Sequence, residues 1–531
     1  MNSKILQAAA LLLTAVIGFF HLYYISKAGG LWRDEANTAA LASMPSISEI
    51  WAHLPFESFP MLWPLVVRSL QFLGAGSDFA FRVLGCSIGL SIVAVLWLNA
   101  RWLKFSAPLV SLALLGFSPV VIRSGDSLRA YGLGVCLTLL TFGLVWKVAT
   151  AASARTIILA ALAAIASAQA LYHNAVVLFA IGLAGAAVAA RNRHWRRTLI
   201  ILGIGGLAAL SLLPYLDPIQ RARSWDVVSM REFDLSIFWT RLFEALSGAG
   251  PVAGWIWIVL LVMAGAVALL VQFDGSGSVE NERRDLALYS LLALVISVAA
   301  SFGFLKFVSY PTQPWYYLPL IGLLAIAIEG SLSTIPSHLI RDAARLLLTA
   351  TVALVGAMPV WNALQMRQTN IDLIAQKLNE TAATEDVIVI VPWYLGITFD
   401  RYYKGAAARA TIPPVEDLRV QRYDVLKTQM ENMDPIKPVL RAMEAALKSG
   451  RCVWIIGSLR FPPEGELPPL FAPAPYESFG WNEGAYMSSW NMQISYFLRH
   501  HALSAEKVEL PTAQPISPYE NPPLMAVRGW R

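Results

Sequence analysis

The chain has 531 residues, of which 56% are hydrophobic and only 14% charged, with a formal net charge of +6. Ordinary soluble proteins are about a quarter charged, so a soluble globular protein is excluded. The small positive excess is spread among loops and gives no basis for a nucleic-acid partner. Cys86 and Cys136 lie in apolar runs and Cys452 stands alone. With neither a CxxC nor a metal-ligand spacing, the cysteines leave the redox compartment open.

The apolar residues gather in runs long enough to cross about 30 Å of hydrocarbon as helix. They are too long and too unalternating for barrel strands. The first run, 5–26 after Asn2-Ser3-Lys4, reads as an uncleaved anchor, because it exceeds a signal-peptide core and Ser26-Lys27-Ala28-Gly29-Gly30 is a poor cleavage site. Further spans are predicted at 78–100, 106–122, 127–148, 155–171, 174–190, 197–215, 252–272, 286–308, 315–331 and 343–363, which makes about eleven transmembrane helices. The run 59–74 is short and carries Pro60, Pro64 and Arg68, so it reads as a juxtamembrane or re-entrant helix in the first outer loop.

With the N-terminus cytoplasmic, Arg101/Lys104, Lys147/Arg155, Arg191/Arg193/Arg196/Arg197, Arg283/Arg284 and Arg341/Arg345 fall on one side, as the positive-inside bias expects. The outer side then receives 27–77, 123–126, Tyr172-His173-Asn174, 216–250, 309–314 and everything after about 364. The composition changes at that last point. Residues 368–383 predict an amphipathic helix, while Asp386–Val391 (DVIVIV) and Arg451–Gly457 (RCVWIIG) predict buried strands. Pro-rich pieces at 411–414, 462–473 and 511–523 mark loops. The expected organisation is a polytopic helical membrane domain over 1–365 and a small α/β domain over 366–531 on the outer face. No Gly-rich phosphate loop follows DVIVIV, so no nucleotide site is expected there.

Candidate chemistry centres on Leu31-Trp32-Arg33-Asp34-Glu35-Ala36-Asn37-Thr38, where the chain leaves the first span. A carboxylate pair at a membrane surface can take a proton from a hydroxyl, hold a cation, or be solvated loop charge. Company on the same predicted face sharpens the reading. Ser118-Pro119 ends a span, and Arg123-Ser-Gly-Asp126-Ser-Leu-Arg129-Ala-Tyr131 follows at once. Guanidinium groups suit phosphate oxygens, and Asp126 is placed to pair with them. His173 caps another span; Lys306 can snorkel or meet an anion. Trp315-Tyr316-Tyr317 reads as an aromatic belt or a sugar-stacking surface. In the outer domain, Ser489-Trp490-Asn491 and Trp481-Asn482-Glu483 suggest carbohydrate contact.

These residues resemble the GT-C-type membrane glycosyltransferases that use polyprenyl-phosphate sugars. That superfamily includes protein O-mannosyltransferases, aminoarabinose transferases and the lipopolysaccharide galacturonosyltransferase-like group, which looks nearest. The resemblance covers about residues 1–365. It rests on Asp34-Glu35, the Pro60 juxtamembrane helix leading to Phe81-Arg82, Ser118-Pro119 to Arg129-x-Tyr131, Tyr172-His173, and Pro314-Trp315-Tyr316-Tyr317-Leu318-Pro319. Ser58-Phe59-Pro60 stands where the family often has His-Pro-Pro, and Trp315 where it usually has Arg.

The resemblance implies a GT-C-like fold in the inner (plasma) membrane of a bacterium, acting in cell-envelope glycan or lipopolysaccharide synthesis. It implies Asp34 as catalytic base with Glu35 beside it, and Arg82, Arg123, Asp126, Arg129, Tyr131, His173, Lys306, Trp315 and Tyr316 as substrate-binding residues. Arg221, Arg223 and Arg231 are further cations for the donor. The implied partners are a polyprenyl-phosphate-linked sugar donor, a hydroxyl acceptor on a glycan, lipid or protein, and membrane lipid. No cofactor is required, although a divalent cation between Asp34, Glu35 and a phosphate is compatible with the chemistry. A transporter or flippase, and a non-catalytic scaffold with an outer glycan-binding domain, are the alternative readings.

Overall fold

The computed structural model describes residues 3–227, 233–273, 280–310 and 312–531. Asn2, Arg231 and Pro311, which enter the sequence reading, lie outside the described residues. The chain forms two compact units. The first comprises Met1–Lys27, Ser58–Asp217 and Arg231–Gln365; the second comprises Ala28–Glu57, Pro218–Met230 and Met366–Arg531. The second unit thus gathers two segments besides 366–531.

The first unit is helical. Among the described residues nine helices are long and apolar enough to cross a membrane: Lys4–Lys27, Asp78–Trp102, Tyr131–Ala151, Asn174–Arg191, Trp195–Arg223, Pro251–Phe273, Asn281–Val308, Pro314–Ser333 and His338–Leu364. Ala154–Ala170 is apolar but shorter. The architecture is that of a polytopic α-helical membrane protein carrying a small α/β unit.

The predicted span 106–122 is not one helix. It divides into Leu109–Gly116 and Pro119–Gly125. Pro119 has no N–H for the preceding turn, and the Ser118 hydroxyl caps the new helix by accepting from the Val121 N–H at 3.4 Å. The juxtamembrane run is the helix Leu62–Phe72. A three-residue turn separates Ala154–Ala170 from Asn174–Arg191. The Asn174 amide staples it by donating to the carbonyls of Ser167 (3.0 Å) and Gly134 (3.2 Å).

Arg345, expected among inward-facing loop charges, is instead 1% exposed within the helix His338–Leu364. It pairs with Glu329 at 2.7 Å. Its Nη1 donates to Ser106 at 2.9 Å, and Glu329 Oε2 accepts from the Ser111 N–H at 2.9 Å. Ionised groups among apolar helices persist only when paired and hydrogen-bonded on both sides, and this pair meets that condition.

The second unit is built on a five-stranded sheet in the order β2-β1-β3-β5-β4. The strands are β1 Val387–Ile390, β2 Ala408–Thr411, β3 Val453–Ile456, β4 Ala502–Val508 and β5 Leu524–Trp530. β2, β1 and β3 are parallel, whereas β5 runs antiparallel to β3 and to β4. The continuous apolar runs DVIVIV and RCVWIIG are strands buried on both faces, as parallel strands covered by helices must be. Ile388, Ile390, Trp454 and Ile456 pack under the helix Ile371–Thr381. Val389, Val453 and Ile455 pack on the opposite face with Met443, Trp490 and Ile494.

Ala36 and Val227 belong to the latter core, which explains why the segments carrying them fold with this unit. Ala28 is also tied down, its carbonyl accepting the Gln368 N–H at 2.7 Å. Gly29 and Gly30 lie against the Arg367–Asp372 ion pair, where a Cβ on Gly30 would stand 2.8 Å from Asp372. Side chains at these two positions would wedge the chain off its support.

Candidate active site

In the second unit, Asp34 lies in the first turn of the helix Arg33–Ala42 and is 8% exposed. Its Oδ1 accepts from Arg33 Nε at 2.9 Å and from Gln421 Nε2 at 2.9 Å. The same helix face carries Asn37 and Thr38. Asn37 Oδ1 accepts the Gln421 N–H at 2.9 Å, its Nδ2 donates to Glu57, and the Thr38 hydroxyl reaches Glu57 at 3.2 Å. A carboxylate near the positive end of a helix dipole is favoured as the anion. The three polar side chains at i, i+3 and i+4 share one face.

The two members of the acidic pair have different positions. Glu35 is fully buried and turns back, its Oε2 accepting the Trp32 N–H at 3.2 Å. This satisfies one of the otherwise orphaned donors at a helix start. Glu35 thus caps the start of the helix through this oxygen. Among the described residues no group of three or more His, Cys, Asp or Glu is placed to hold a metal ion.

Glu520 supports the helix from below. Its Oε2 accepts the Arg33 N–H at 2.8 Å and its Oε1 accepts from Thr369 at 2.8 Å. Burial pushes its carboxyl up from 4.5 to about 7, against the opposing effect of these donors and the Arg33 charge. The Arg33 guanidinium stacks 4.8 Å from the Tyr394 ring centre. Gln421, Glu520 and Tyr394 escaped the sequence reading, being hundreds of residues from Asp34 with no motif around them. Asn37 and Thr38 lie in the stretch that carries Asp34, and the helix Arg33–Ala42 puts them on the same face.

In the first unit, several expected binding residues come together. Arg129 is 5% exposed, stacks 4.9 Å from Phe59 and 6.0 Å from Tyr131, and donates to Ser58 at 3.3 Å. Tyr131 meets Tyr316 at 6.0 Å; Tyr316 stacks on His173 at 5.7 Å and meets Trp315 at 6.3 Å. Ser58-Phe59 and Trp315, the two departures from the family pattern, both lie in this cluster.

The described partners of Asp126 are His21 and Arg82. His21, inside the first helix, binds it through Nδ1 at 2.7 Å, and Arg82 contributes a nearby positive charge. Gly89 makes room for this pair, since a Cβ there would lie 2.3 Å from Asp126 Oδ1 and 2.5 Å from the His21 ring. Arg123 is half-buried on the helix Pro119–Gly125. Lys306 is exposed, with its Nζ 5.9 Å from the Phe302 ring centre. Arg221 and Arg223 are exposed on the helix Leu216–Arg223.

No family model and no curated protein matches the chain. Among solved structures it is similar to ArnT from Cupriavidus metallidurans bound to undecaprenyl phosphate, with 13% identity, 84% of this chain and 92% of that chain covered, and a TM-score of 0.49. The apo form of the same protein gives 14%, 85%, 93% and 0.47. The Archaeoglobus fulgidus oligosaccharyltransferase, solved with zinc and sulfate, gives 12%, 84%, 68% and 0.47. At these identities and TM-scores no residue role is carried over from them.

Proposed function

We propose that the chain is a membrane glycosyltransferase that moves a sugar from a polyprenyl-phosphate donor to a hydroxyl acceptor on a lipid, glycan or protein. In this reading the reaction takes place at the outer face of a bacterial plasma membrane, with the N-terminus cytoplasmic and the α/β domain outside. Asp34 is the base. The observation that carries the reading is the setting of that carboxylate. It is buried in the first turn of a helix and oriented by Arg33 and Gln421, immediately beyond the first apolar helix.

The chemistry is a single displacement. The acceptor oxygen forms a bond to the anomeric carbon while its proton passes to the Asp34 carboxylate. The bond from that carbon to the phosphate oxygen breaks, and the electron pair leaves with the polyprenyl phosphate. Inversion at the anomeric carbon results. The leaving group already carries charge that cationic side chains stabilise, so no general acid is required. Arg82, Arg123 and Arg129 are the proposed phosphate ligands, with Lys306 a further cation. Tyr131, His173, Trp315 and Tyr316 supply the aromatic surface for the sugar or the first isoprene units. Asp126 fixes the geometry through His21. Glu35 acts on Asp34 indirectly, by holding the helix start.

The test is transfer by membranes containing Asp34→Asn beside wild type, followed by mass spectrometry of envelope glycans and lipids. The variant is expected to insert normally and lose the product. Wild-type product would defeat the assignment of the base.

A further inference from the structure

The second unit contains a cavity of about 340 Å³ that the proposed transfer does not use. It opens at the carboxyl ends of β1 and β3. From β1 the chain crosses to β2 on one side and then to β3 on the other. In open α/β sheets this reversal of strand order leaves a crevice, and ligands bind there. The crevice is shaped by Gly457, which follows β3 at a φ of +134°. A Cβ there would lie 1.7 Å from the Val391 carbonyl oxygen, so only glycine lets the two strand ends stand this close.

The lining decides the class of ligand. Three backbone donors around the strand ends are committed: the Gly457 N–H to Pro523 at 3.0 Å, the Trp393 N–H to Ile412 at 2.9 Å and the Arg460 N–H to the Asn491 side chain at 2.7 Å. Arg460 is the single cation among the lining residues, and the Glu520 carboxyl in the same lining is buried and already holds the Arg33 N–H and Thr369. The hydroxyls of Ser458 and Ser488 line the space, and no hydrogen bond to either is seen among the described residues. Tyr394 and Tyr519 contribute aromatic surface, and Tyr519 is 56% exposed at the rim.

Hydroxyls beside aromatic rings, with few ionisable groups in the lining, match a neutral polyhydroxylated ring. We infer that this crevice is a carbohydrate-binding site that holds a neutral sugar residue through the Ser458 and Ser488 hydroxyls against Tyr519. Asn491, singled out in the sequence, braces the wall through the Arg460 N–H and the Ser458 carbonyl (2.9 Å). Trp490 is buried in the core and takes no part. The inference does not depend on the transfer reaction, because binding is read without turnover.

The experiment is saturation-transfer difference NMR on the full chain in nanodiscs, with the methyl α-glycosides of glucose, galactose, mannose and N-acetylglucosamine as probes. Saturation of the ring protons of at least one glycoside is expected. Tyr519→Ala, at an exposed position, should reduce it at least threefold, and Ser488→Trp, which fills the crevice, should abolish it. Absence of saturation for all four probes would overturn the inference. So would an unchanged signal in Tyr519→Ala, or displacement of the glycoside by equimolar inorganic phosphate.

Discussion

The Glu520 carboxyl makes the second unit sensitive to pH in a direction opposite to that of most paired carboxylates. Its affinity for the proton rises from 4.5 to about 7 on folding, with burial the leading cause. A raised folded value means that ionisation is easier in the unfolded chain. The stabilising contribution is therefore complete below pH 4.5 and is lost as pH climbs to about 7. Each tenfold change in proton affinity is worth about 1.4 kcal/mol, so the total loss is roughly 3 kcal/mol. Glu520→Gln removes the titration. It also leaves one carbonyl oxygen where two oxygens now accept from Arg33 and Thr369, a cost of about 1–3 kcal/mol. The variant should thus be less stable than wild type at pH 5 and equal to it or more stable at pH 8. Hydrogen exchange of peptides from 28–57 and 512–531 measures this as the variant-to-wild-type rate ratio, which cancels the intrinsic pH dependence of exchange. A ratio that stays constant from pH 5 to pH 8 would refute the assignment of Glu520 as a buried, reluctantly ionised group.

Removing one partner of the Glu329–Arg345 pair by Glu329→Ala leaves a buried charge and should cost roughly 3–5 kcal/mol, read as a fall in thermal midpoint in detergent; a Met–Met double replacement should recover most of it. Gly89→Ala should separate His21 from Asp126 and cost about 1–3 kcal/mol. In a double-mutant cycle with His21→Ala the two losses should not add, and full additivity would contradict the packing argument. Arg129→Gln should weaken binding of the proposed polyprenyl phosphate by about 10- to 100-fold, the worth of a charge-assisted hydrogen bond, as measured by microscale thermophoresis in nanodiscs.

Hydrophobic run length locates the spans because hydrocarbon thickness fixes helix length. It fails at 106–122, where Ser118 and Pro119 end one helix and begin another, a local signal overridden by the apolar character of the whole window. It also misplaces Arg345. A charge near a predicted turn looks like a topology determinant until Glu329, sixteen positions earlier, is seen to neutralise it. In the second unit the two continuous apolar strands were legible, whereas β2 (ARAT), β4 (ALSAEKV) and β5 were not. β2 and β4 are edge strands and largely exposed, which removes the apolar run that marks β1 and β3, whereas in the interior strand β5 the run is cut short by Arg528 and Gly529. Asp34 stood out because an acidic pair follows an apolar helix. That Glu35 caps the helix was readable in principle from its place three residues after Trp32. Gln421 and Glu520 were unreadable, since only folding brings them to Asp34.

The central claim is that Asp34 takes the acceptor's proton while the donor phosphate is held by other groups. It is tested most directly by measuring polyprenyl phosphate affinity and sugar transfer together in Asp34→Asn and Asp34→Glu. Unchanged lipid-phosphate affinity is expected in both, with transfer lost at least a hundredfold in the amide and partly restored in the glutamate. Transfer by the amide variant at the wild-type rate, or loss of lipid-phosphate binding in parallel with loss of transfer, would contradict the account.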